Sequence, residues 1–301
     1  MVYGRIILSG ASGMLGSAVQ QLLTAGNIAC LQLVRREPDR QGQLQWHPDL
    51  ERVIEDISAL EGVSAAVHLS GASVAGHRWT SAYRRELRSS RIDSTRRLAS
   101  SLAGLRKPPE VFLIASAVGI YGDRGSEVLD ESSGAGSGFL ADLCREWETA
   151  AEPAVCAGIR VVHLRFGVVL GPGGALKQML PAFRLGLGAR IGNGRQWMSW
   201  VGLKDAVAAV LFALENRDIS GALNVTAPNP VTNAVFTREL GRQLRRPAIF
   251  SVPAFAMRTI FGQMADEALL ASARVLPARL EAAGFRFSAP ELGAALGEAL
   301  R

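Results

Sequence analysis

The sequence predicts an α/β fold, a doubly wound parallel sheet with a smaller, mostly helical C-terminal lobe. Three observations carry this reading: short apolar runs without polar alternation, helical stretches between them, and a glycine-rich turn after the first run. Strands buried on both faces read as continuous apolar segments, and repeated strand–helix–strand units place helices on both faces of a parallel sheet.

The elements follow in order. Arg5-Ile-Ile-Leu-Ser9 is the first apolar run, and residues 10–16 form the turn. Leu15, Ala18, Val19, Leu22 and Leu23 then recur at helical spacing until Gly26, a residue suited to the position past a helix end. Further strands are expected at 28–34, 65–69, 111–116 and 160–165, with helices at roughly 80–102 and 140–151. After about residue 170 the pattern loosens into glycine-rich loops. Helices are expected at 204–216 and 232–244, and a basic, mostly helical tail runs from about 247 to the end. Residues 1–170 are read as the main unit, to which later segments partly return, and 171–301 as a substrate lobe.

Composition narrows the function classes. With 48% hydrophobic residues in 301, the chain has material for a large core and is not a disordered sequence. Its three cysteines, Cys30, Cys144 and Cys156, lie far apart, and its four histidines show no ligand spacing, so no disulfide framework and no metal are expected. The longest apolar run, Ala206 to Leu214, is far short of the ~20 residues of a membrane helix. No signal-peptide layout precedes the first strand, so the expectation is a cytoplasmic protein with no membrane partner. The net charge of +6 is almost entirely arginine. Its densest stretch, Arg78 to Arg97, is interrupted by Glu86 and Asp93 and has no aromatic ladder, so no nucleic-acid partner is expected.

Gly10-Ala-Ser12-Gly13-Met14-Leu15-Gly16 sits between a strand and a helix. Glycines there permit a tight turn, close approach of backbone to a pyrophosphate, and close helix–strand packing. Backbone N–H groups and the dipole at the helix start then favour phosphate. This is a Rossmann-like dinucleotide site, although the spacing is G-x-x-G-x-x-G. The second strand ends in Val34-Arg35-Arg36, with no acid before Glu37. A carboxylate at that end accepts from a ribose 2′-OH, whereas guanidinium groups suit a 2′-phosphate; the expected cofactor is NADP(H), held by Arg35 first and Arg36 second. His68-Leu69-Ser70-Gly71 closes a later strand at the carboxyl edge, where open sheets bind ligands. Leu69, Ser70 and Gly71 are expected to border the cofactor. His68 itself reads more simply as a packed, hydrogen-bonded core residue.

These landmarks resemble the extended short-chain dehydrogenase/reductase superfamily, which includes nucleotide-sugar epimerases. The resemblance also rests on Ser116-x-x-x-x-Tyr121-Gly122, on the segment from Leu164 to Pro172, and on Trp200-Val-Gly-Leu-Lys-Asp205. Gly76-His-Arg-Trp79, the segment from Ile191 to Gln196, and the segment from Leu276 to Phe285 are similar to a narrower branch, the "epimerase family proteins", with their own short C-terminal domain. The resemblance implies NADP(H) binding, with Glu86 and Arg91 lining the cofactor cleft and Gly167 and Val168 near the nicotinamide. It implies no particular substrate.

One part of the superfamily pattern is missing. Its reductases use a Tyr and a Lys four residues later, the cation lowering the phenol's pKa so that a proton moves as hydride moves. The residues four beyond Tyr3, Tyr83 and Tyr121 are Ile7, Leu87 and Gly125. Aligning the Trp147-Glu148 helix puts Leu140 in the tyrosine position and Cys144 in the lysine position. Tyr121, supported by Ser116, is the candidate substitute acid. Two readings follow. One is an NADP(H)-dependent oxidoreductase or epimerase-like enzyme for a small polar or anionic substrate, a sugar nucleotide among them, with Arg184, Arg190 and Arg195 near its anionic part. The other is a non-catalytic or redox-sensing NADP(H)-binding protein. An oligomer is compatible with either.

Overall fold

The computed structural model describes residues 4–50 and 53–301. Among the described residues, seven strands form the main sheet: β1 (Arg5–Ser9), β2 (Cys30–Val34), β3 (Gln43–Gln45), β4 (Val63–His68), β5 (Val111–Ala117), β6 (Arg160–Phe166) and β7 (Gly221–Val225). Their order is β7-β6-β5-β4-β1-β2-β3, every pairing is parallel, and the sheet reverses direction of growth between β1 and β4. That reversal is the switch point at which such sheets open a crevice.

The apolar runs make the sheet because both faces are buried. Along β1, Ile7 points into one core while Ile6 and Leu8 point into the other, and Phe112 and Val111 on β5 divide likewise. The first core lies under α2 (Ser81–Arg88), α3 (Ser94–Ala103) and α4 (Phe139–Thr149), through Leu87, Leu98 and Trp147. The second lies under α1 (Met14–Ala25) and a helix at Leu203–Glu215, through Val19, Leu23 and Val210. A third cluster, with Trp200, Phe236 and Leu296, joins helices Gly174–Arg184, Asn233–Gln243 and Leu292–Ala299. Asp205 ties the tail to this body. Its buried carboxylate accepts from Ser288 N and Oγ (2.8 and 2.7 Å) and from Ala289 N (3.0 Å).

The structure departs from the sequence reading in three places. The helix expected over 80–102 is split by a wide π-type turn at Ser89–Asp93. That turn brings both Ser90 and Arg91 to residue 72, where Ala72 N donates to Ser90 Oγ (3.2 Å) and Arg91 Nη2 donates to Ala72 O (2.8 Å). Strand β3 is a three-residue, half-buried edge strand, too short and too polar to show a pattern. No strand is expected at Gly221–Val225, yet β7 forms there and is a later segment that returns to the main sheet, pairing with β6 from Gly221↔Val162 to Val225↔Phe166.

Candidate functional site

A cleft of about 750 Å³ opens at the carboxyl ends of β1, β2 and β4. Gly10, Ser12 and Gly13 form one wall, Arg35 and Arg36 another, and Leu69, Ser70, Gly71 and Glu86 a third. The glycines are required for different reasons. Gly10 has φ +75°, and a Cβ there would lie 2.7 Å from the Leu69 carbonyl carbon. A Cβ on Gly16 would lie 2.1 Å from Gly10 O, so the loop closes on itself only with glycine there. Gly13 is another matter. Its φ of −78° suits any residue, and a Cβ would meet only Gly10 O, at 3.4 Å. Its bareness serves the cleft rather than the loop.

Met14, Leu15 and Gly16 stand behind the wall. Gly173 N donates to Met14 Sδ (3.2 Å), and Leu15 packs into the second core. At the end of β2, Arg36 pairs with Asp39 at 2.8 Å, both largely exposed, a contact of little energetic weight. The Arg36 contact and nearby Arg40 hold the Asp39 carboxyl below the usual range. Arg35 makes no ion pair among the described residues and is exposed on the rim. Sequence reasoning missed Arg40, which also lines the cleft and donates to Gln32 Oε1 (3.2 Å), and it missed Trp46, Ser89, Ser90 and Ser94. No spacing rule points to these: Arg40 comes from the β2–β3 connection, Trp46 from just past the short edge strand β3, and Ser89, Ser90 and Ser94 from the π-type turn and the start of α3.

Arg91 is not in the cleft wall. It is buried, holds Ala72 O, and lies 5.1 Å over the Trp147 ring, so it braces the Gly71–Ala72 backbone from behind. Burial pulls its pKa down. His68 is fully buried between Ser9 Oγ (2.6 Å) and Ser94 Oγ (3.3 Å), and burial pushes its pKa down to about 3. It is a neutral core histidine.

Gly167 and Val168 lie outside this cleft, beyond the end of β6. Gly167 N donates to Val225 O (3.2 Å), and a Cβ on Gly167 would lie 2.6 Å from Ser199 O. Val168 pairs with Trp200. Nearby, a buried polar chain links the ends of three strands. Ser116 Oγ donates to Glu148 Oε1 (2.7 Å), and Arg165 clamps Glu148 through Nε and Nη2 (both 2.8 Å). Arg165 Nη1 then donates to Tyr121 OH (3.0 Å), which donates to Asn224 Oδ1 (2.8 Å). Burial opposes the Arg165 charge, yet Glu148 and Tyr121 outweigh it and raise its pKa. Tyr121 is fully buried, and burial raises its pKa too, against the pull of Arg165. Leu140 and Cys144 sit one turn apart on α4, both facing Gly119, and burial pushes the Cys144 thiol up to about 12. Arg195 lines a separate cavity of about 400 Å³ with Trp197, Arg258 and Ser272; Arg184 and Arg190 are exposed outside it.

A model of the NAD dependent epimerase/dehydratase family matches residues 6–226. The chain belongs to that family. Within it, an epimerase family protein of Mycobacterium tuberculosis is 45% identical over 295 residues, covering 98% of this chain and 97% of that protein. The tail matches a domain of unknown function, DUF1731, over residues 252–299. The crystal structure of human epimerase family protein SDR39U1 with NADPH superposes with a TM-score of 0.87 at 34% identity, covering 98% of both chains. A nucleoside-diphosphate sugar epimerase from Corynebacterium glutamicum gives 0.81 at 34% identity, with 99% of this chain matching 58% of that one. This epimerase/dehydratase family member thus has the sheet, glycine loop and C-terminal domain that its sequence resembles.

Proposed function

We propose that the protein binds NADP(H) in the large cleft and acts on a small polar or anionic substrate as an oxidoreductase or epimerase-like enzyme without a Tyr–Lys relay. The observation that carries the cofactor assignment is the rim of three arginines, Arg35, Arg36 and Arg40, at the end of β2, next to a loop whose Gly13 leaves the cleft open. The human relative whose structure contains NADPH supports it.

In this reading the first-turn N–H groups of α1, with Gly10, Ser12 and Gly13, hold the pyrophosphate. Arg35 takes the 2′-phosphate with Arg36 and Arg40 beside it, and Leu69 to Gly71 and Glu86 border the ribose. Met14, Leu15, Gly16 and Arg91 position these groups, while Gly167 and Val168 flank the nicotinamide end. When bound, the cofactor supplies a hydride donor or acceptor. Proton handling falls to Ser116, the hydroxyl at the end of β5 whose hydrogen bond leads to a carboxylate, Glu148. Tyr121 is the other candidate; both hydroxyls are buried, and the phenol is held by Asn224 and Arg165 rather than by a carboxylate. The sugar-nucleotide epimerase among its relatives makes sugar nucleotides the first substrates to screen.

The burial of Tyr121 and the apolar pair Leu140 and Cys144 favour the second reading, an NADP(H)-binding protein that senses cofactor state. Nucleotide analysis of the purified protein, NADPH and NADH titrations, and a substrate screen by reduced-nicotinamide absorbance separate the two. Cofactor binding with turnover supports the enzyme, binding without turnover on any candidate supports the sensor, and no binding of either dinucleotide overturns both.

A further inference from the structure

The C-terminal lobe carries a face that the dinucleotide site does not use. A short strand at Ala189–Ile191 pairs in parallel with Phe250–Val252 (Phe250↔Ala189), and the Pro247 ring packs 3.6 Å from where a Cβ on Gly186 would stand. The chain leading into these strands therefore sets Leu185 and Leu187 beside Ile249. All three are exposed, Leu185 at 76% and Ile249 at 81%, and Phe250, next to Ile249 in the chain, and Phe255, on the helix that follows, are exposed as well. Such side chains are normally scattered singly; gathered on one face they mark an interaction surface.

The charge on this face is one-sided. Residues 153–204 and 240–265, which supply it, contain no aspartate or glutamate. Arg184, Arg190, Arg245 and Arg246 are exposed beside the apolar residues and make no ion pair among the described residues. The nearby Arg242 and Arg258 are paired with Glu239 and Asp266, so the unpaired set is distinct. Two strands and their flanks thus present large apolar side chains inside an arginine border.

The geometry points to this face, built on 184–190 and 245–255, as a docking surface for the anionic phospholipid bilayer. Apolar side chains that enter the headgroup boundary and cations that meet anionic lipid add to each other in such binding. Charge complementarity selects this occupant. A second copy of the chain would set arginines against arginines across a two-fold interface with no acid to receive them. Phosphate of a nucleic acid would satisfy the arginines and leave Leu185, Leu187 and Ile249 unused. No described helix is long and apolar enough to cross a membrane, and a surface contact requires none. The neighbouring cavity shares Ala254 and Arg258 with the helix that carries Phe255, so docking sets that cavity beside the lipid headgroups.

Sedimentation of the full chain with vesicles of phosphatidylcholine alone, and of phosphatidylcholine mixed with phosphatidylglycerol, tests this. Binding is expected to the mixed vesicles and not to the neutral ones, and it weakens as salt screens the charges. The double variant Arg245→Glu/Arg246→Glu is expected to bind about thirtyfold more weakly or worse. Leu187→Ser/Ile249→Ser is expected to weaken binding while the melting temperature and NADPH affinity hold. No binding to mixed vesicles, equal binding to neutral ones, or binding that ignores both variants overturns the proposal. Self-association abolished by Leu187→Ser/Ile249→Ser, or RNA outcompeting the vesicles, also overturns it.

Discussion

Gly13 and Gly16 lie three residues apart in one loop, and the structure assigns them opposite kinds of necessity. A Cβ on Gly16 would lie 2.1 Å from Gly10 O, inside any tolerable contact, so Gly16→Ala displaces the loop itself. A side chain on Gly13 meets ordinary backbone dihedrals and one atom at 3.4 Å, and its bulk goes into the cleft. Gly13→Val therefore keeps the fold, at the cost of a poorer helix N-cap, worth a few tenths to about 1 kcal/mol. In the cleft its methyls occupy the path of the pyrophosphate. Losing two charge-assisted hydrogen bonds, each about 1.5–3 kcal/mol, removes at least about 3 kcal/mol of binding, more than a hundredfold in Kd. Calorimetric titration with NADPH beside thermal unfolding separates the two glycines. Gly13→Val is expected to lose the cofactor with nearly unchanged melting, and Gly16→Ala to lose both. A Gly13→Val protein that binds NADPH as tightly as the parent refutes the placement of the pyrophosphate.

Arg35→Asp is expected to weaken NADPH binding by about ten- to a hundredfold and to spare NADH, because it removes a guanidinium from a phosphate and adds repulsion; an unchanged NADPH/NADH ratio in titrations counts against a 2′-phosphate there. Stability is expected to fall in acid. The unfolded chain takes up a proton at His68 below its ordinary 6.5, whereas folded His68 stays neutral to about 3, so its contribution is complete above that range and lost as pH drops. Between pH 7 and 5 the loss is about 2 kcal/mol, read by denaturant unfolding, and His68→Asn is expected to flatten the slope. Glu148→Gln strips the partner from a mostly buried Arg165 and is expected to cost about 3 kcal/mol in unfolding free energy. Tyr121→Phe orphans Asn224 and Arg165, costing about 1–3 kcal/mol. A Tyr121→Phe enzyme that keeps its turnover makes the phenol a strut, and a loss of about 10²–10⁴ at equal folding makes it the acid.

The parts visible in the sequence are those whose cause is local. Ile6, Ile7 and Leu8 announce a strand buried on both faces because three adjacent apolar residues have no solvent face to offer. Gly10 and Gly16 announce the loop because their contacts are with backbone close in the chain or with the adjoining strand. The seventh strand, Gly221–Val225, was not visible, since its only pattern is the burial that β6 supplies from sixty residues away. Arg40 and Trp46 share that fate, one brought to the cleft by the irregular β2–β3 connection and the other by the three-residue edge strand it follows. Arg91 is a position that neither spacing nor resemblance could orient: the π-type turn directs its guanidinium at Ala72 O and the Trp147 ring, behind the cleft wall.

Leu140 and Cys144 invite the view that the relay was merely lost, and that two substitutions would return it. The surroundings of Cys144 argue otherwise. Its sulfur lies in the field of two guanidinium groups, Arg91 and Arg165, and of one carboxylate, Glu148, and Cys144 is almost fully buried. A lysine there would add a third cation to a site with one carboxylate, already clamped by Arg165 in two hydrogen bonds. Cys144→Lys is therefore expected to destabilise the fold by about 3–5 kcal/mol at neutral pH, with or without Leu140→Tyr. The unfolded chain holds that proton up to about pH 10.4 and the buried amine releases it well below, so the deficit is expected to shrink as pH rises toward that value. Unfolding measured at neutral and alkaline pH reads this directly. Equal stability of Cys144→Lys and the parent at neutral pH refutes a rebuilt site and returns the lost relay as the simpler history. The expected deficit means that Arg165 and Arg91 now occupy, electrostatically, the place a catalytic lysine would need.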